Sequence, residues 1–121
     1  NFLADITRAA IVDGHVDLQA NSGSQKDFVC IADVLGVLPQ IAVSGQHRIY
    51  NIASGRNTRY GDILSALSQH TGCTVAADAA GPMVLFPSIS VERLTAEFGS
   101  TQVNLENDIA NFINDFKNGL T

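Results

Sequence analysis

Helical and alternating patterns of apolar residues follow one another along the chain. Phe2, Ile6, Ala9 and Ala10 recur at helical spacing and Gly14 stops the run, which predicts a helix over about 2–13. Val16, Leu18 and Ala20 alternate, so 15–20 reads as a strand and 21–24 as a turn. Residues 27–31 are apolar, β-branched and aromatic enough for a second strand. A helix over about 33–43 follows, with Asp33 at its N-cap or first turn. Pro39 lies inside it, and the missing donor predicts a kink or a split. Residues 49–53 predict a third strand, with 54–57 as its exit loop. Ile63, Leu64, Leu67 and His70 share one face of a helix over 59–71, closed by Gly72 and followed by a short strand over 73–77. Residues 79–82 form a loop, and 84–86 are an apolar segment whose state the pattern leaves open. Ser90 is the expected cap of a helix over 91–98 stopped by Gly99. Asn104 is the expected cap of a last helix whose Leu105, Ile109, Phe112, Ile113 and Phe116 form one stripe. Strands alternating with helices predict an α/β fold in a small, α+β-like form.

Composition narrows the classes. The chain has 121 residues, a length that suits one domain over 1–121. A compact chain of this size buries about two-thirds of the surface it exposes when unfolded, enough for a core. Hydrophobic residues at 45% and charged residues at 16% exclude disorder and collagen. The most apolar window, 28–43, is broken by Asp33 and Pro39, so no bilayer span is expected. Seven Lys and Arg against twelve Asp and Glu give a net charge of −5. There is no basic stripe to neutralise phosphates, and nucleic acid is not an expected partner. Cys30, Cys73, His15, His47 and His70 show no metal-ligand spacing; no metal is expected, and the cysteines read as buried thiols. No signal-peptide pattern opens the chain. It begins on Asn1 rather than Met, already in a helical pattern, so sequence upstream is expected to have been removed.

Four local motifs then carry a resemblance. Lys26-Asp27-Phe28-Val29-Cys30-Ile31-Ala32-Asp33-Val34 is similar to an "RDYVHVDDV" segment, and Ile49-Tyr50-Asn51-Ile52-Ala53-Ser54-Gly55 to a "YN(I/V)xSG" strand and loop. Ser88-Ile89-Ser90 with Leu94 and Phe98-Gly99 is similar to "DxSKxxxxLG", and Leu105-Glu106-Asn107-Asp108-Ile109 to an "sLeeGl" helix. In this order and spacing the motifs resemble the C-terminal, substrate-binding part of the NAD-dependent epimerase/dehydratase family, the extended short-chain dehydrogenases/reductases. The resemblance implies a cytoplasmic parent enzyme that uses NAD(P) on a sugar or nucleotide sugar. It also implies a missing N-terminal Rossmann domain, since the chain has no GxxGxxG turn for the pyrophosphate. The family's Tyr-x-x-x-Lys pair is absent too: Tyr50 is followed by Ser54 and Tyr60 by Leu64. No catalytic or cofactor-binding residue is therefore expected here, and the isolated chain is expected to be inactive. Its cut face predicts self-association, with exchange of the helix over 2–13 as one route. The alternative is a non-catalytic α/β interaction module.

The resemblance also nominates substrate contacts. Lys26 stands where the family usually has a phosphate-binding arginine; it keeps the charge but loses the bidentate fork, and otherwise it is a solvated loop cation. Asp27 either holds the neighbouring loop or serves a turn, and Phe28 completes the pair. Arg56 and Asn57 lie in a glycine loop that either receives an anion or is simply solvated. Arg59 occupies a cap position where the family has Ser, and Thr58 is the expected substitute. The run 79–87 lacks the cation of the family's "RPGD" stretch; it either lines a pocket for a less charged substrate or joins the core.

Overall fold

The computed structural model describes residues 1–101 and 104–119. By contact density the chain divides into two compact units, each assembled from separate stretches of sequence. Unit 1 comprises Asn1–Gln25, Arg59–Leu85 and Asn104–Thr121, and unit 2 comprises Lys26–Thr58 and Phe86–Val103.

Unit 1 holds most of the core. Helix α1 (Phe2–Arg8) runs on into a π-helical turn, Ala9–Asp13, which ends at Gly14 with φ of 67°. Only glycine enters that left-handed region without a Cβ penalty, so the stop expected from the sequence is met. Strand β1 (His15–Leu18) pairs in parallel with β4 (Thr74–Ala77), Val16 opposite Val75. Between them in sequence comes α3 (Tyr60–Thr71), which also closes on a left-handed glycine, Gly72. Ile63, Leu64 and Leu67 of α3 are buried as the stripe predicts; His70 is instead exposed and bonded to Glu106 at 3.2 Å. Arg59 is the N-cap of α3 without a side-chain bond, because a guanidinium has no acceptor, and Thr58 does not replace it. The turn at 21–24 supplies the acceptors instead: Tyr60 N donates to Ser24 O at 2.8 Å and Gly61 N to Ser22 O at 2.9 Å.

Helix α5 (Leu105–Lys117) is capped as expected, Asn107 N donating to Asn104 Oδ1 at 3.1 Å. Ile109 and Ile113 are 3% exposed and form the centre of its stripe; Leu105, Phe112 and Phe116 flank them half-buried. Full burial of an aliphatic side chain contributes about 1.5–3 kcal/mol. Together with Val16, Leu18 and the α3 residues, these two isoleucines therefore anchor unit 1. Residues 82–85 are not core. They run beside residues 21–25, with Gln25 N donating to Val84 O at 2.9 Å and a parallel bridge between Gln25 and Leu85.

Unit 2 departs further from the sequence pattern. Strand β2 (Gln25–Asp27) is shorter than expected, because Cys30 already has the extended backbone of a helix N-cap and Ile31 opens α2 (Ile31–Ser44). The apolar run over 28–31 thus belongs to a helix entry. Asp33 lies in its first turn. Helix α2 is not split at Pro39; Gln40 Nε2 donates to Gly36 O at 2.9 Å, bonding a carbonyl of the turn that the proline disturbs. None of its residues is buried, and Ile31, Leu35, Leu38 and Val43 are 45–89% exposed. The strand expected over 49–53 is absent: side chains hold that segment, and among the described residues it pairs with no strand. The strand here is instead β3 (Asn57–Arg59), paired with β2. Helix α4 (Glu92–Phe98) starts at Val91 without a side-chain cap, so Ser90 does not cap it, and it ends at Gly99 as expected. Leu94 and Ala53 are the buried centre of this unit. Cys73 is buried and Cys30 half-buried, both as free thiols. Among the described residues no helix is long and apolar enough to cross a membrane.

Candidate functional site

All five residues nominated from the sequence fall in unit 2, although about thirty positions separate Lys26 from Asn57. Asp27 is the hub of one pair. Its Oδ1 accepts from Ser54 N at 2.9 Å and its Oδ2 from Gly55 N at 2.8 Å. The loop has the left-handed glycine that lets successive amides converge on an anion: Gly55 has φ of 78°. The anion it receives is the chain's own carboxylate. Ser54 Oγ completes the loop, accepting from Arg56 N at 3.1 Å and donating to Arg56 O at 2.8 Å. The Arg56 side chain projects from this braced backbone, exposed and, among the described residues, without an ion pair.

Lys26 and Asn57 meet through Phe86. The Lys26 ammonium lies 5.5 Å from the Phe86 ring centroid, a cation–π distance, and Asn57 Nδ2 donates to Phe86 O at 2.7 Å. Asn57 Oδ1 is buried and has no partner among the described residues. Phe86 is 46% exposed, so its ring is open to a ligand as well as to Lys26. Phe28 is half-buried.

The sequence placed Phe86 in the run 79–87, expected either to line a pocket or to join the core, without singling it out. The signal available was its aromatic ring in a run otherwise lacking cations. A second cluster had no sequence signal at all. Tyr50 Oη donates to Glu97, 2.7 and 2.9 Å from its two oxygens, and accepts from Gln46 N at 2.8 Å and His47 N at 3.0 Å. His47 Nε2 is 3.5 Å from Glu97 Oε2. The Tyr50 hydroxyl bond is the main reason that the Glu97 carboxyl sits below its ordinary value, with the Gln46 amide and His47 adding to it against an opposing desolvation. A cleft of about 390 Å³ lies nearby, between Ile49 and Asn51 on one side and Ser90–Leu94 on the other. Arg93 reaches Ile49 O at 3.4 Å and Asn51 Nδ2 donates to Ser90 O at 2.9 Å, so residues 49–51 are held by side chains rather than by a sheet.

No family model and no curated protein matches the chain. Solved structures do. TunA, an NAD-dependent NDP-hexosamine 5,6-dehydratase involved in tunicamycin biosynthesis, superposes with a TM-score of 0.81 at 16% identity, over 98% of this chain and 40% of that one. The ADP-L-glycero-D-manno-heptose-6-epimerase of Helicobacter pylori gives 0.78 at 18% identity, over 97% and 38%. MoeE5 in complex with UDP-glucuronic acid and NAD gives 0.74 at 21% identity, over 99% and 42%. The chain thus spans about 40% of the length of the structures it matches. At these identities the likeness is one of fold, and it agrees with the resemblance the motifs carry: this small mixed helix–strand chain has the fold of a portion, consistent with the C-terminal one, of the extended short-chain dehydrogenases/reductases that act as NAD-dependent epimerases and dehydratases.

Proposed function

We propose that the chain is the substrate-binding portion of an NAD(P)-dependent epimerase- or dehydratase-like enzyme acting on a sugar or nucleotide sugar. The observation that carries this reading is the fold, matched over nearly the whole chain by enzymes of that chemistry. In this reading Lys26 and Arg56 meet the negative charge of the substrate. Phe86 offers a ring face to the sugar, Asn57 holds Phe86 in place, and Asp27 fixes the loop that carries Arg56. Phe28, next to Asp27 in the chain, completes the set. The hydride chemistry and its tyrosine acid/base belong to an N-terminal Rossmann part, which binds the dinucleotide; the isolated chain is inactive. The outward face of α2, apolar and uncovered, is available to that part or to a second copy of the chain.

Saturation-transfer NMR with UDP-glucuronic acid tests the reading. Binding is expected, weakened by Lys26→Gln and by Phe86→Ala, while calorimetric titration with NAD⁺ and NADH gives no saturable heat. Saturable micromolar NAD⁺ binding to the chain alone would overturn the assignment, as would transfer that is indifferent to both substitutions.

A further inference from the structure

A second cleft in unit 2, of about 370 Å³, lies between the loop at 54–56 and the stretch from α4 to Thr101. That volume is in the range of small-molecule sites. Its floor is apolar, made by Ala53 and Leu94, which are 4% and 2% exposed. Arg56, Thr95, Ser100 and Thr101 belong to its polar lining, and the Thr101 hydroxyl donates to Ala53 O at 3.5 Å. Among the described residues no carboxylate is part of its lining. The two acids of α4 lie elsewhere, Glu92 on the cleft at 49–51 and Glu97 on a shallow groove beside Val43 and Phe98.

Three features make this more than a surface arginine. First, Arg56 is positioned: Asp27 takes the amides of Ser54 and Gly55, and Ser54 Oγ bonds both the N–H and the carbonyl of Arg56. Gly55 also packs tightly here, since a Cβ on it would stand 2.7 Å from Val91 Cγ2. Little order is therefore left to be imposed by a ligand on the backbone that carries the guanidinium. Second, among the described residues Arg56 has no ion pair, and the Thr95 and Ser100 hydroxyls make no hydrogen bond. Third, the net charge of −5 is unevenly shared. Unit 2 balances Lys26, Arg48, Arg56 and Arg93 against Asp27, Asp33, Glu92 and Glu97. The whole deficit sits in unit 1, where Arg8, Arg59 and Lys117 face eight carboxylates. An anion entering this cleft meets a neutral unit.

We propose that this cleft is an anion subsite that takes the phosphoryl group of a small phosphomonoester. Arg56 supplies the planar fork that matches two phosphoryl oxygens, and the Thr95 and Ser100 hydroxyls donate to the remaining one. The apolar floor keeps water from one side of the ion pair and strengthens it. The assignment shares Arg56 with the substrate reading above but stands on the cleft alone.

Titration of the ¹⁵N-labelled 121-residue chain with inorganic phosphate, and then with glucose 1-phosphate, tests it. Saturable shifts are expected at the amides of Gly55, Arg56, Thr95 and Ser100. Arg56→Gln should weaken binding about tenfold, the factor set by one hydrogen bond to a charged group. Thr95→Val should weaken it several-fold, and Arg93→Gln, on the neighbouring cleft, should leave it unchanged. Non-saturating shifts, or equal losses in Arg56→Gln and Arg93→Gln, would show an adventitious response to charge and overturn the proposal. Lys26→Gln separates the two readings. Phosphate binding that survives it while UDP-glucuronic acid binding is lost supports both; phosphate binding lost with Lys26 rather than Arg56 overturns the cleft; and phosphate bound at the cleft with no UDP-glucuronic acid binding anywhere overturns the substrate reading alone.

Discussion

Asp27→Ala removes the acceptor on which two backbone amides converge. The Ser54 and Gly55 N–H groups lie 2.9 and 2.8 Å from its oxygens, and the pair is partly buried. Hydrogen bonds to charged groups contribute about 1.5–3 kcal/mol each in mutational series. Water can reach part of this site, and the loop is free to relax once released, so the lower end applies to both bonds. A loss of about 2–4 kcal/mol is expected. Asp27→Asn keeps one carbonyl oxygen and presents an NH₂ to the second amide, so it should lose about half as much or slightly more. Urea unfolding measures both, read as a shift in midpoint at constant slope. Hydrogen exchange gives a local check: the Ser54 and Gly55 amides should lose protection in both variants, while amides of α3 and α5 should lose only what global stability loses. If Asp27→Ala costs less than about 0.5 kcal/mol, or if the two amides exchange no faster, the carboxylate does not hold the loop and the argument for a positioned Arg56 fails with it.

Three further outcomes follow from the same geometry. Gly55→Ala forces a Cβ into a left-handed residue and against Val91 at 2.7 Å; it should cost at least about 1–2 kcal/mol in urea melts, and a neutral effect would mean the loop takes another conformation. Ile113→Ala, at a site 3% exposed, should cost about 2–5 kcal/mol, whereas Phe112→Ala, half-buried, should fall below the about 3–5 kcal/mol of a buried ring; the reverse order in thermal or urea unfolding would refute the packing of α5. The carboxyl of Glu97 has a folded value below 4.5, so its contribution to stability is fully present above about pH 4.5 and disappears as pH falls through the lowered value. Tyr50→Phe should flatten that acid limb of the stability–pH profile, and an unchanged limb would show that the hydroxyl does not stabilise the carboxylate.

Much of unit 1 was legible because its signals are local. Gly14 and Gly72 end helices by a conformational freedom that needs no partner, Asn104 caps α5 by reaching its own third amide, and the stripes of α3 and α5 repeat at a period the backbone imposes. The errors cluster in unit 2. Residues 27–31 and 49–53 have the composition of strands, but a strand exists only where a second one offers a ladder, and strand propensity reports fit to neighbours more than backbone preference. Residues 28–31 instead lead into α2, and the segment at 49–53 is tied by Tyr50 to Glu97 and by Asn51 to Ser90.

The candidate site divides the same way. The sequence by itself determined the residue types, the glycine loop and the order of motifs that resemble a family of sugar-modifying enzymes. Only the tertiary structure decided that the turn's amides are filled by Asp27, that Phe86 joins Lys26 to Asn57, and that Arg56 lines one cleft with Thr95 and Ser100, more than thirty positions away. Amide donors, a carboxylate and a guanidinium can pair in several ways at similar local cost. The choice among them depends on which groups the packing of distant segments brings within about 3 Å, and no local pattern encodes that distance.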